Sequence, residues 1–152
     1  MNKVLVSACF LGELVRYNGE IKELLHPLLQ KWQGEKRLIS FCPEVSGGLP
    51  TPRPPAEIQS SSGKVITSSG KNVSNAFLRG ANNALSVCVE HDIKYALLKE
   101  SSPSCGSNTI YDGSFTQTKV NGQGVTTRLL RENGIKVFSE INIEELADLL
   151  ED

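Results

Sequence analysis

A chain of 152 residues with 39% hydrophobic content has the length of one domain and enough apolar surface for a real core, so a single domain over residues 1–152 is expected. Sixteen Lys and Arg against 17 Asp and Glu leave a net charge of -1. No broad positive field is available to hold a polyanion, which excludes nucleic acid as the first expectation for a partner. The opening MNKVLVSACFLGELVR has an apolar run too short, and too broken by Ser7, Gly12 and Glu13, for a signal peptide or a membrane span. A cytoplasmic protein with no membrane partner is therefore expected, and in that reducing setting its four cysteines point to metal binding or thiol chemistry instead of disulfides.

Val4 to Ser7 is a β-branched apolar run with no helical continuation, which predicts a short buried strand. Between Glu20 and Trp32, residues Leu24, Leu25, Leu28, Leu29 and Trp32 recur at helical spacing, and Pro27 is expected to kink that helix or to start its second part. Leu38 to Phe41 reads as a second strand, stopped by Cys42 and Pro43. PEVSGGLPTPRPPAE, from Pro43 to Glu57, carries five of the seven prolines and two adjacent glycines. It is expected to be a long stiff loop without regular structure, of the kind a compact domain retains where it lines a site.

Lys64 to Thr67 suits a small extra strand. From Asn72 to His91 the positions Val73, Phe77, Ala81, Ala84, Leu85 and Cys88 form one face at a period near 3.6, with Asn72 or Ser74 as the cap of a helix. Tyr95 to Leu98 predicts a third buried strand, followed by loop and turn chemistry in SSPSCGSNTIYDGS. Gly124 to Glu132 then reads as a helix stopped at Asn133-Gly134, Lys136 to Phe138 as a fourth strand, and Ile143 to Leu150 as a last amphipathic helix. This alternation predicts an α/β three-layer sandwich with a mostly parallel sheet. In such sheets ligands bind outside the carboxyl ends of the strands.

Cysteines stand at those ends. Cys9 follows the first strand, Cys42 follows the second, and Cys105 lies in SPSCG beyond the third. A single cysteine near a strand end is more often core than ligand. Three, each among Gly, Pro and Ser instead of on an apolar face, favour a common use, whereas Cys88 on the apolar face of the long helix is expected to be core. Structural zinc would want a fourth ligand and paired knuckles; neither His26 nor His91 lies in a cysteine loop. Soft thiolates suit an iron–sulfur cluster better, and three of them would ligate three irons of a four-iron cluster and leave one open to substrate.

A rival reading takes Cys9 to Arg16 as a phosphate loop like that of low-molecular-weight tyrosine phosphatases. Six residues lie between Cys9 and Arg16, one more than in those enzymes, and the reading leaves Cys42 and Cys105 without a role.

VSACFLGELVRYNG, CPEVSGGLPTPRPPAE and LKESSPSCGSNTIYDGSF together resemble the small bacterial family of thiouracil desulfidases, long catalogued as a domain of unknown function. The likeness runs along nearly the whole chain. It implies a [4Fe-4S] cluster on Cys9, Cys42 and Cys105, and non-redox removal of sulfur from a thiolated pyrimidine base to give uracil and hydrosulfide. It also implies that Glu44 takes the place of the family's acid/base carboxylate and Ser102 that of its active-site hydroxyl, with Ser101 and Ser104 flanking Ser102. Asn18 and Phe10 stand where Asp and Leu are usual.

Several residues have an ordinary alternative. A lone loop carboxylate such as Glu44 commonly faces solvent or caps a helix, although Pro43 and the Gly47-Gly48 pair favour function. Ser102 and Ser104 are of the type that satisfies turn amides, and Arg16 and Arg53 are expected to hold loops by pairing with carboxylates. A non-catalytic iron–sulfur carrier or redox sensor would need the same three cysteines; only Glu44 separates it from an enzyme. The position of the sulfur, the choice among free base, nucleoside and nucleotide, and the oligomeric state stay open.

Overall fold

The structure, a computed structural model, describes residues 1–12, 18 and 24–151; Arg16 and the 20–23 portion of the expected first helix lie outside the described residues. Strand β1 (Val4–Ser7) is buried along its length and runs into a short 3-10 turn, Ala8–Leu11. Helix α1 (Pro27–Gly34) starts at Pro27, where the missing N–H costs nothing, and His26 Nδ1 accepts the Leu28 N–H at 3.1 Å. Of the two expected roles for Pro27, starting a helix is the one observed.

Strand β2 (Leu38–Phe41) is followed at once by a short helix, α2 (Pro43–Ser46). The expectation that residues 43–57 lack regular structure is thus corrected. Pro43 occupies the first helical turn, where its fixed φ favours a helix start, and Ala56–Ile58 forms β3, antiparallel to β4 (Val65–Thr67). Helix α3 (Ser74–Glu90) is the longest among the described residues, and the Asn72 carboxamide oxygen accepts the Ser74 N–H at 2.9 Å at its entry.

Strand β5 (Tyr95–Leu97) precedes a segment expected to be loop and turn throughout. It contains instead β6 (Thr109–Tyr111), which pairs antiparallel with β7 (Lys119–Asn121) around the Asp112-Gly113 turn. Three-residue strands with intermediate or exposed side chains carry little apolar periodicity, which is why the pattern did not reveal them. Helix α4 (Val125–Glu132), strand β8 (Lys136–Phe138) and helix α5 (Ile143–Leu150) complete the chain where they were expected.

The central sheet has the order β2-β1-β5-β8, every pair parallel. Alternation along β1 splits the core into two layers. Val4 and Val6 pack with Leu29 and Trp32 of α1 and with Ile143, Leu146 and Leu150 of α5. Leu5 points the other way, toward Ala84 and Cys88 of α3 and Leu130 of α4. The α/β fold with helices on both faces of a parallel sheet is therefore the observed one, and each fully buried side chain such as Leu5 contributes about 2 kcal/mol. The chain runs outward from β1 to β2 on one side and from β1 to β5 and β8 on the other, so the strand order reverses between β1 and β5. A reversal of this kind opens a crevice at the carboxyl ends of the two strands.

Two glycines set the position of α2. A Cβ on Gly80 would collide with the Pro43 carbonyl, and one on Gly47 with the Ala76 carbonyl. Only hydrogen at both positions lets α2 lie directly on α3, and this seats the residues that follow β2 beside the crevice.

Candidate active site

A cavity of about 960 Å³ occupies that crevice, and its wall includes Cys9, Cys42, Cys105, Glu44 and Ser102. All five residues expected to carry the chemistry therefore face one space, although they come from three separate stretches of sequence. Cys9 belongs to the turn after β1, Cys42 is the residue between β2 and α2, and Cys105 lies in the turn after β5. No disulfide joins any of the four cysteines.

Cys105 is buried, and burial pushes its thiol far above the ordinary range. Negative charge at Cys42, Glu44 and Cys9 pushes it further in the same direction, so Cys42 and Cys9 each lie within electrostatic reach of Cys105. Burial likewise raises Cys42. Cys88 shares an apolar cluster with Cys105 but sits on α3 away from the cavity, and burial alone raises it to about 11. Among the described residues, no three His, Cys, Asp or Glu side chains close on one point as the ligands of a single metal ion do. Neither His26, which caps α1, nor His91, at the end of α3, lines the cavity.

Glu44 stands in the first turn of α2 with its side chain 17% exposed. Burial raises its carboxyl above the usual range, and Arg53 only partly opposes this. Arg53 donates from Nε to Glu44 Oε1 at 3.1 Å and from Nη1 to Pro50 O and Thr51 Oγ1, both at 3.1 Å. The arginine thus joins the proline-rich segment to the carboxylate, the loop-holding role expected of it.

Ser102 Oγ accepts the N–H groups of Ser104 and Cys105, each at 3.1 Å. It shapes the turn that carries Cys105 and also lines the cavity. Ser104 is fully buried, with Oγ 2.8 Å from Thr126 Oγ1; it is not part of the cavity wall, and its hydroxyl also hydrogen-bonds with Cys105 from behind. Ser101 Oγ pairs with Thr109 Oγ1 at 2.9 Å.

Glu100 was missed by sequence reasoning. It is 6% exposed, and its Oε1 accepts the N–H groups of Ser101, Ser107, Asn108 and Thr109 at 2.9–3.2 Å. Its Oε2 accepts from Ser107 Oγ at 2.8 Å and Asn108 Nδ2 at 3.1 Å. Burial by itself would raise this carboxyl, but the donors outweigh it and hold Glu100 down at about 2. An ionised carboxylate at the centre of residues 101–109 fixes the turn that presents Ser102 and Cys105. A glutamate followed by a run of Ser, Asn and Thr was the available signal, because such loops offer unpaired amides.

No helix among the described residues is long and apolar enough to cross a membrane.

A family model described as 2-thiouracil desulfurase matches residues 4–142. YbbK of Bacillus subtilis (strain 168), described as an uncharacterized protein, is 40% identical over 155 residues, covering 97% of this chain and 99% of that protein. A solved structure of the [4Fe-4S]-dependent thiouracil desulfidase TudS is 51% identical, with a TM-score of 0.95 over 99% of this chain and 98% of its own. On this agreement of sequence, fold and cavity, the chain belongs to the 2-thiouracil desulfurase family of enzymes.

Proposed function

We propose that this chain, acting as a single domain, removes sulfur hydrolytically from a thiolated pyrimidine such as thiouracil, giving uracil and hydrosulfide. Cys9, Cys42 and Cys105 hold a [4Fe-4S] cluster in this reading. The observation that carries it is the convergence of three cysteine thiols and a buried carboxylate on one cavity. Three soft donors suit iron–sulfur ligation, and ligands to a cluster stand at different corners, so they need not close on one point. Cys42 and Cys105, raised by burial, and Cys105 further by the charge of Cys42, Glu44 and Cys9, are poor anions alone and are stabilised as thiolates by a cationic iron core. When bound, the cluster supplies an iron without a protein ligand, a Lewis acid that draws electron density from the thiocarbonyl carbon.

The protein's own groups then complete the exchange of C=S for C=O. A water molecule attacks the carbon, and a carboxylate oxygen of Glu44 takes its proton. Glu44 is suited to this because burial raises its proton affinity toward the working range of a general base. Arg53 keeps the carboxylate aimed from Oε1. The proton on Glu44 is later given to the departing sulfur, the water's second proton goes to solvent as C–OH becomes C=O, and hydrosulfide leaves with the carboxylate restored and no net electron transferred. Ser102 holds the Cys105 turn through its oxygen while its hydroxyl proton is available to the substrate.

Anaerobic reconstitution of single Cys→Ser variants, followed by iron analysis per chain, tests the ligand set. Cys9→Ser, Cys42→Ser and Cys105→Ser are expected to lose most of the iron, and Cys88→Ser to keep it. Full iron in one of the first three, or loss from Cys88→Ser, contradicts the assignment.

A further inference from the structure

Five residues other than glycine have positive φ among the described residues: Lys36, Asp92, Ser101, Phe115 and Gln117. Lys36 and Asp92 sit just past the ends of α1 and α3, where a left-handed residue is the common way to stop a helix. The other three all line the cavity. Phe115 is the least expected of them, because a bulky side chain at φ 58 occupies a sparsely populated region that surrounding contacts must enforce.

Those contacts are present. Glu57 of β3, 9% exposed, accepts the N–H of Gly113 at 2.9 Å and of Phe115 at 3.2 Å on the same oxygen, Oε1. Gln59 Nε2 donates to the Gly113 carbonyl at 2.9 Å, and Ser60 Oγ to the Asp112 carbonyl at 3.4 Å. The hairpin of β3 and β4 thus braces the tip of the hairpin of β6 and β7. The outcome is an aromatic ring that is 36% exposed, on the wall of the same cavity as the three thiols. A large apolar ring left in view of solvent, on a backbone held in an uncommon conformation, is matched by a flat apolar ligand face.

We propose that Phe115 is a specificity-determining residue of the site, giving its ring face to the planar heteroaromatic base, and that Glu57 is the positioning residue that aims it. This rests on the desulfurase reading and adds to it how the ring is recognised. Stacking on an aromatic face favours a planar unsaturated ring over a saturated or non-planar thioamide of similar size.

The test uses the iron-loaded holoenzyme, with KM and kcat on 4-thiouracil and the Kd for uracil, which has no sulfur to bind iron. Phe115→Leu is expected to raise KM and the uracil Kd together by about tenfold, with a smaller change in kcat and normal iron content. Phe115→Trp restores both constants to within about threefold. Glu57→Gln raises KM by roughly threefold, and adding it to Phe115→Leu raises KM no further, because its effect passes through the ring. A merely structural Glu57 would add to the Phe115→Leu loss. If wild-type protein desulfurises 4-thiouracil and Phe115→Leu leaves both constants within twofold, the stacking role is overturned while the desulfurase reading stands. If iron-loaded wild type releases no sulfide from 2- or 4-thiouracil, the desulfurase reading fails, and the Phe115 assignment fails with it.

Discussion

Two segments, the start of α2 after β2 and the turn after β5, each bring one carboxylate and one thiol to the same cavity, and they drive the two carboxylates in opposite directions. After β2, Cys42 is followed by Glu44, whose carboxyl burial raises and a single guanidinium only partly lowers. After β5, Glu100 precedes Cys105, and its carboxyl is held near 2 by four backbone amides and two side-chain donors. Both groups are largely buried, so burial alone does not decide their roles. The number of N–H and O–H donors does: a carboxylate surrounded by donors stays ionised and organises the backbone, whereas one with few donors can exchange a proton. In the proposed reading the same cavity wall therefore offers one group for architecture, Glu100, and one for chemistry, Glu44.

The largest expected effect that sharpens this contrast is at Glu44. Glu44→Gln keeps the side-chain volume and removes proton exchange, so turnover should fall by roughly 10²–10⁴-fold at normal iron content. An unaltered rate would break the contrast, because proton transfer would then pass from Glu44 to Ser102 with bound water. Smaller and different in kind is the effect at Glu100. Its folded pKa of about 2 lies below the value of about 4.3 for an unfolded carboxyl, so its stabilisation is complete above the unfolded value and is lost as pH falls toward the folded one. Glu100→Gln should therefore cost at most roughly 3 kcal/mol near neutral pH. The gap to wild type should close between about pH 5 and pH 2, as read by denaturant unfolding of the apo protein. A gap independent of pH would show that the carboxylate charge does not hold the loop.

The fold was legible wherever buried apolar residues repeat. Val4 to Ser7, Leu38 to Phe41 and Lys136 to Phe138 are strands with the expected limits, and the long helix ends within two residues of its expected bounds at each end. The short elements were hidden for separate reasons. In PEVSGGLPTPRPPAE the prolines outweighed everything else, yet Pro43 was itself a helix-start signal, and Ala56–Ile58 needs its partner β4 to be a strand at all. The tip of the hairpin of β6 and β7 depends on Glu57, 56 residues from Gly113 in sequence, and no local pattern reports a contact of that separation.

The candidate site was legible through residue type. Cysteines beside Ser, Gly and Pro at strand ends, and a glutamate between Pro43 and Gly47, stand out because these settings offer no apolar face. Glu100 had only the run of Ser, Asn and Thr after it as a signal, and Glu57 and Phe115 had none, since such a Glu or Phe is ordinary until the folded chain buries the carboxylate and leaves the ring exposed.

In the proposed reaction water replaces sulfur at a ring carbon without net redox chemistry. A single turnover of anaerobically reconstituted protein with 4-thiouracil in oxygen-18 water tests it directly, with the uracil read by mass spectrometry and sulfide assayed in parallel. The predicted result is uracil carrying one labelled oxygen at the carbon that lost sulfur and one hydrosulfide per uracil, with no oxidant or reductant added. Unlabelled uracil, a requirement for an external electron donor, or thiouracil recovered unchanged from iron-loaded protein would contradict it.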